Sequence, residues 1–425
     1  MSTATPTAGD PSAPLDAAAQ AASEAGPTAH LLRTYNRKAP QFVRGEGARV
    51  WDAEGREWID ALAGIAVNAL GHGHAALADA LADQARQVLH LSNLYRHPAG
   101  EELADRLCGL TGMGAVFFSN SGSEANECAL KIARKAATLH DAAHPERPRS
   151  RHFVALEGGF HGRTAGSLSV TANAAYREPF GPLLVVQFVE PEDIAALETA
   201  LASRPAGLIL EPVQGEGGLR TLSNEYLQAA RALCTDTGTV LIADEVQCGC
   251  GRTGTFLASE AAGIQPDVVT LAKPLGAGVP IGATLVSGCF TEVLQPGDHG
   301  STFGGGPLAA RAGLVFLDAY EAGLAEAVPA RGTQLAAGLD DLVAHCTLVT
   351  ERRGRGLMQG IVVPGRAGEL ADRCFDAGLL VCTAAGDVVR FVPPYVITPE
   401  ELDAALGIVR TTLSAMETAH QEPAS

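Results

Sequence analysis

Hydrophobic positions along this chain follow two different rhythms. Five short stretches are apolar almost without interruption: Ala115-Val116-Phe117-Phe118, His152-Phe153-Val154-Ala155-Leu156, Gly207-Leu208-Ile209-Leu210, Val240-Leu241-Ile242-Ala243 and Val268-Val269-Thr270-Leu271. A strand with one wet face alternates apolar and polar residues. A continuous run is buried on both faces, as in a mainly parallel sheet covered by helices. The stretches between these runs read as helical. Residues 75–90 show helical spacing too, in Ala75, Leu77, Ala78, Leu81, Ala82, Ala85, Val88 and Leu89. Residues 100–320 therefore predict an α/β region. Ahead of it, Arg49–Asp52 and Glu57–Asp60 flank Ala53-Glu54-Gly55-Arg56 and predict a hairpin.

The last hundred residues change character. A helix near 308–344 leads to the apolar run Leu357–Val363. A helix at 367–377, strands at Gly378–Val381 and Val388–Phe391, and a helix over 399–418 follow. This is a smaller α+β unit, expected to pack with the N-terminal segment. The expected division is a disordered tail at 1–28, a small-lobe segment at 29–75, a large domain at 76–320, a small domain at 321–418 and a tail at 419–425.

Composition narrows the function. Hydrophobic residues make up 46% and charged residues 19% of 425, which excludes a disordered chain. With 31 basic and 48 acidic residues the net charge is −17. Such a surface repels phosphate backbones and anionic lipid, so neither nucleic acid nor membrane is an expected partner. No run of roughly eighteen apolar residues is present. Nine scattered cysteines read as reduced thiols of a cytoplasmic protein. Residues 1–28 contain no Lys or Arg, unlike a signal or transit peptide. Gly71-His72-Gly73-His74 offers two imidazoles with no further ligands nearby, and reads as a structural turn; no metal is expected.

Ligands on such sheets sit at the C-terminal ends of the strands. The first apolar run leads into Ser119-Asn120-Ser121-Gly122-Ser123-Glu124 and then a helix. That turn suits a phosphate, through free N–H groups and the helix dipole, or it is a plain capping box. The fourth run ends in Asp244. A carboxylate there is costly unless a cation meets it, either Mg²⁺ or a protonated ring nitrogen. The fifth run ends at Lys273, where desolvation lowers the amine pKa and favours Schiff-base chemistry; the plain alternative is an ion pair with Asp244. Lysine, acid and phosphate turn together suggest pyridoxal 5'-phosphate.

These residues carry a family resemblance. In order along the chain stand Ser121-Gly122-Ser123-Glu124-Ala125-Asn126, Phe160-His161-Gly162-Arg163-Thr164, Glu211-Pro212-Val213-Gln214-Gly215-Glu216-Gly217-Gly218 and Asp244-Glu245-Val246-Gln247. Gly251-Arg252-Thr253-Gly254, Leu271-Ala272-Lys273, His299-Gly300-Ser301-Thr302-Phe303-Gly304-Gly305 and Arg353-Gly354-Arg355-Gly356-Leu357 complete the set. Over residues 30–415 the chain resembles the class III (subgroup II) aminotransferases of fold type I, and within them the acetylornithine/ornithine branch.

The resemblance implies a fold type I transferase with a seven-stranded-type, mainly parallel sheet. It implies that Lys273 joins the cofactor as a Schiff base and that Asp244 keeps its ring nitrogen protonated. Val246 and Phe160 would face the ring from either side, and Gln247 its phenolic oxygen. Gly122 and Ser123, with Ser121 beside them, would hold the phosphate, and Thr302 would reach in from the other subunit of a homodimer. Arg163 would clamp the α-carboxylate of the amine donor, with Ser301 touching that substrate. Arg390 would be the second clamp, paired with Glu211 until 2-oxoglutarate binds. His161 would orient its loop. The implied reaction is ping-pong transfer of the terminal amine of N-acetylornithine to 2-oxoglutarate, a step of arginine biosynthesis. Ornithine, succinylornithine and 4-aminobutyrate are alternative donors, and an Mg-dependent phosphate-metabolite enzyme is a remote one. Pro274, Val279, Gly306, Cys248 and Cys250 depart from the family pattern. Pro274 is expected to hold Lys273 in an extended conformation.

Overall fold

The computed structural model describes residues 30–421. The expected tail at 1–28 lies outside the described residues. The chain divides after Gln41. Residues 30–41 carry turns and bends without helix or strand.

The second unit begins with β1 (Phe42–Glu46), β2 (Arg49–Asp52) and β3 (Glu57–Asp60). β2 and β3 form the expected hairpin, with Trp51 opposite Glu57. Next come β4 (Ala115–Ser119), β5 (Phe153–Leu156), β6 (Val186–Val189), β7 (Gly207–Leu210) and the short pair β8 (Val213–Gln214) and β9 (Arg220–Thr221). β10 (Val240–Asp244), β11 (Val268–Leu271) and β12 (Gly282–Val286) complete the middle of the chain. The large sheet has seven strands in the order β4-β12-β11-β10-β7-β5-β6. β12 runs antiparallel to both its neighbours, and the pairs from β11 to β6 are parallel. All five continuous apolar runs are strands of this sheet. β6 and β12 escaped the sequence reading. β6 is a four-residue edge strand, only partly buried, whose pattern is broken by Gln187.

β10 shows why its sequence does not alternate. Val240 and Ile242 pack with Cys128, Ala129, Ile132 and Phe153 on one face, and Leu241 packs with Val154, Tyr226 and Cys234 on the other. The helices covering the two faces are Gly122–Ala143 and Asn224–Thr237. Burying each large side chain contributes roughly 1.5–3 kcal/mol.

In the C-terminal part lie β13 (Glu351–Arg355), β14 (Met358–Val362), β15 (Leu379–Leu380), β16 (Cys382–Ala384) and β17 (Val388–Phe391). Four of them form the sheet β13-β14-β17-β16. β15 instead joins the N-terminal sheet, parallel to β3, with Leu379 beside Ile59. Buried Trp58 reinforces that junction by donating its Nε1–H to Phe375 O at 2.9 Å.

The helix expected over 308–344 is two helices, Pro307–Ala319 and Ala325–His345, separated by a wide turn at Tyr320–Leu324. Gly323 has φ 141° there, which breaks the helix because L side chains avoid that region. The final helix runs to Gln421, three residues past its expected end. Among the described residues no helix is long and apolar enough to cross a membrane. All nine cysteines are free.

Candidate active site

The C-terminal ends of β4, β5, β7, β10 and β11 meet at one cleft of about 320 Å³. Ser121, Gly122, Ser123, Phe160, Glu211, Asp244, Val246, Gln247 and Lys273 all line it. These residues span 153 positions of sequence, and the parallel sheet brings them together.

The glycine turn caps its helix without closing a full capping box, because Glu124 accepts from Asn120 N–H and not from Ser121 N–H. Ser121 caps the helix Gly122–Ala143, its Oγ accepting from Glu124 N–H at 3.3 Å, while the Glu124 carboxylate accepts from Asn120 N–H and Nδ2 at 2.8 and 3.0 Å. The first intrahelical bond runs from Ala125 N–H to Ser121 O. The N–H groups of Gly122 and Ser123 lie ahead of it and stay available to an anion. Gly122 must lack a side chain, because a Cβ would stand 2.5 Å from Val246 Cγ1.

Asp244 is buried and met by donors. Its Oδ2 accepts from Asn126 Nδ2 at 2.8 Å and lies 2.7 Å from His161 Nδ1; its Oδ1 accepts from Val246 N–H at 3.1 Å. The Thr270 hydroxyl lies 2.8 Å from Asn126 Oδ1 and fixes that amide. Burial works against a charged His161, but the bond to Asp244 and its charge outweigh it, so the imidazole pKa is raised. His161 Nε2 is buried without a partner. Mg²⁺ prefers a near-octahedral shell of oxygens, and this carboxylate is surrounded by N–H donors instead. The arrangement suits a carboxylate facing a ring N–H.

Lys273 does not take the extended conformation expected from Pro274. It opens a short 3₁₀ turn, Lys273–Gly276, closed by Leu275 N–H to Ala272 O and Ala277 N–H to Pro274 O. Neither bond needs the N–H that proline lacks. Burial pushes the Lys273 amine below its ordinary pKa, against the charges of Asp244, Glu211 and Glu216. Burial pushes Glu211 up to about 7, opposed by His161 and reinforced by Asp244.

Four expected site residues lie outside the cleft lining. The Arg163 guanidinium sits 3.7 Å from the Tyr176 ring centroid and 5.7 Å from that of Phe160. It has no carboxylate partner among the described residues. Ser301 Oγ accepts from Gly304 N–H at 2.9 Å and from Asn120 Nδ2 at 3.3 Å. Thr302 is exposed in a separate hollow with His90, Asn93 and Leu94. Arg390, buried on β17, corrects the expected pairing. Its Nη1 meets Glu216 Oε1 at 2.6 Å, not Glu211, and also reaches Gln247 Oε1 at 3.1 Å and Gly215 O at 3.2 Å. Its Nη2 lies 3.3 Å from Cys382 Sγ. Glu211 is turned the other way, accepting from the N–H groups of Phe160 and Gly215 at 2.9 and 3.1 Å. Only four residues separate the two glutamates, and spacing alone does not choose between them. Asn126 and Glu216 stood inside quoted motifs, but a role for either needed the fold.

Of the departures, Val279 lines the cleft and Gly306 caps the helix Pro307–Ala319. Cys248 and Cys250 are buried. His72 meets Asp60 Oδ2 at 2.9 Å, and His74 caps the helix Ala75–Gln87.

A pyridoxal phosphate matches this set. The amine of Lys273 is desolvated, Asp244 is held ready for a ring N–H, and free backbone N–H groups stand where a phosphate needs them. The cleft volume suits one small cofactor with its substrate.

Comparison with known proteins agrees. The model of the family "Aminotransferase class-III" matches residues 34–413. An acetylornithine aminotransferase of Caldanaerobacter subterraneus subsp. tengcongensis is 43% identical over 91% of this chain and 97% of its own. One from Gloeobacter violaceus is 44% identical over 89% and 94%. The crystal structure of N-acetylornithine aminotransferase from Stenotrophomonas maltophilia superposes with TM-score 0.79 at 36% identity, over 92% and 99%. Ornithine aminotransferase from Toxoplasma gondii, with PLP at partial occupancy in its active site, gives 0.87 at 32% identity, over 92% and 94%.

Proposed function

The chain belongs to the class III aminotransferases and takes pyridoxal 5'-phosphate as cofactor, and from that premise we propose that it transfers the terminal amine of N-acetylornithine to 2-oxoglutarate. The observation that carries this reading is the unequal state of two arginines beside one cleft. Arg163 has no carboxylate partner among the described residues, whereas Arg390 is neutralised by Glu216. An ω-amine donor with one carboxylate needs one free arginine. The dicarboxylate acceptor needs two, and it obtains the second when Glu216 swings away.

Bound pyridoxal phosphate supplies an aldehyde for the amine and a ring that draws electrons from the carbon losing its proton. Asp244, oriented by Asn126 and His161, would face the ring nitrogen. Gly122 and Ser123 N–H groups bind the phosphate beside Ser121. Val246 and Phe160, which line the cleft, would face the ring from either side, and Gln247 would face its phenolic oxygen. The Lys273 amine, low in pKa, takes and returns the proton at the substrate carbon. Arg163 and Ser301 orient the donor.

The active species is a homodimer in this reading. Leu94, Tyr95 and Phe303 are 87%, 68% and 65% exposed around Thr302, an apolar patch that a second copy would cover while carrying Thr302 to its neighbour's site. Residues 76–320 serve as cofactor domain, and pairing of β3 with β15 supports a small lobe drawn from both chain ends. Nine free thiols support a cytoplasmic location.

Single-turnover bleaching with N-acetylornithine, ornithine, succinylornithine and 4-aminobutyrate tests the donor. N-acetylornithine reacting fastest is expected, and a faster rate with free ornithine reassigns the substrate. Borohydride-reduced protein should carry its cofactor adduct on Lys273 by mass spectrometry.

A further inference from the structure

The end of the large sheet opposite the cleft, at the N-termini of its parallel strands, holds a concentration of charge that the reaction does not use. Loops leading into β5 and β7 and the helix Asn224–Thr237 bring Arg149, Arg151, Arg204 and Arg231 there, in a chain of net charge −17. Three of the four are satisfied. Arg151 pairs with Asp141 at 2.8 Å and Arg231 with Asp267 at 3.0 Å. Arg204 donates to Thr237 O at 3.1 Å and Arg147 O at 2.7 Å.

Arg149 is different. Its guanidinium makes no hydrogen bond or ion pair among the described residues, and its Nε is buried without a partner. It lies across Gly238, the C-cap of the helix Asn224–Thr237, where a Cβ would stand 2.6 Å from Nη2. That helix end offers about half a negative charge, and Arg204 already draws on it. Burial and the charges of Arg204, Arg147 and Arg151 all weigh against the Arg149 proton, with Asp141 opposing. Arginine nevertheless stays charged. Asp141 and Asp267, the carboxylates paired with Arg151 and Arg231, are already engaged. A hollow of about 480 Å³ opens beside Arg149, walled by Arg231, Thr235, Thr239, Gln265, Ser287 and the Arg231-paired Asp267.

We propose that this hollow binds a small oxyanion, a phosphate or carboxylate group gripped by the Arg149 fork. A planar guanidinium matches two such oxygens at once. The site lies at the N-terminal strand ends, roughly 17 Å from the cofactor cleft along five residues of β10 at about 3.3 Å each. A bound anion would tie the loop before β5 to the end of the Asn224–Thr237 helix. This inference is independent of the donor substrate.

The test uses holoenzyme, whose own phosphate cradle is filled. Inorganic phosphate and, separately, acetate are titrated against sodium chloride at matched ionic strength. The readouts are melting temperature and amide hydrogen exchange over residues 144–152 and 235–239. Millimolar phosphate is expected to raise the melting temperature by about 2–4 °C and to slow exchange in both segments. Arg149→Met should lose both effects, and Arg149→Lys, which keeps the charge without the fork, should retain a weaker response. Equal effects of the two anions would assign the site to oxyanions of either kind, a response to acetate alone to carboxylates, and a response to phosphate alone to phosphates. The proposal is overturned if neither phosphate nor acetate protects better than chloride, or if either variant responds as fully as the wild type.

Discussion

Arg390 and Glu216 form an ion pair at 2.6 Å in which one partner is buried and the other is not: the arginine side chain is 2% exposed and the glutamate 38%. The mobile half of the pair is therefore the glutamate. Gln247, Gly215 O and Cys382 hold the guanidinium when Glu216 leaves. Charge-assisted bonds of this kind contribute about 1.5–3 kcal/mol, or roughly ten- to a hundredfold in a rate or affinity. Arg390→Ala should slow the 2-oxoglutarate half-reaction by that factor and change the amine half-reaction far less. Single-turnover rates for each half measure this, and equal losses would remove the gate from Arg390.

Arg163 is placed by aromatic faces instead of a carboxylate. Its guanidinium lies 3.7 Å from the Tyr176 centroid, a cation–π contact of about 0.5–1 kcal/mol at an exposed site. Tyr176→Leu should raise the KM for a carboxylate-bearing donor by roughly two- to fivefold with kcat little changed. Tyr176→Phe, which keeps the ring, should behave as wild type. A Phe variant as impaired as the Leu variant would mean that the hydroxyl matters and the stacking does not.

Gly122 is required by contact with Val246. In Gly122→Ala the new methyl would meet Val246 Cγ1 at 2.5 Å, an overpacking that costs about 1–3 kcal/mol at the floor of the cofactor cleft. Cofactor affinity, measured by absorbance after dialysis, should fall about tenfold or more. Adding Val246→Ala should restore part of it. A double variant no better than the single one would place the strain elsewhere.

Glu245 gives the fold a pH signature. Burial pushes its carboxyl up from 4.5 to about 7, although Ser259 donates to it twice, at 2.9 and 2.7 Å, and Ala258 N–H once. Between those values the folded chain keeps a proton that the unfolded chain has lost. Stability on this account falls as pH rises from 4.5 to 7, by up to about 1.4 kcal/mol per unit, and stays lower above. Urea unfolding of Glu245→Gln at several pH values should show a shallower slope in that window, whatever the variant's absolute stability. Parallel slopes would show that Glu245 is ionised throughout.

Local pattern carried much of this protein. The apolar runs that become β4, β5, β7, β10 and β11 were legible because a strand buried on both faces cannot alternate. Asp244 and Lys273 stood out because a charge at the end of such a run is costly unless it has work to do. The ordered motifs extended that reading to Arg163, and the family resemblance to Arg390. Other features depended on chain segments far apart in sequence. Whether Glu211 or Glu216 meets Arg390 is a matter of which way two nearby side chains turn once β7 and β17 are placed. The antiparallel insertion of β12, the Asn126 and His161 contacts to Asp244, and the lack of a partner for Arg149 are of the same kind. Periodicity reports how each residue relates to its own neighbours along the chain. Distances between residues 40 to 180 positions apart are set by packing the sheet and its helices, and only the folded chain contains them.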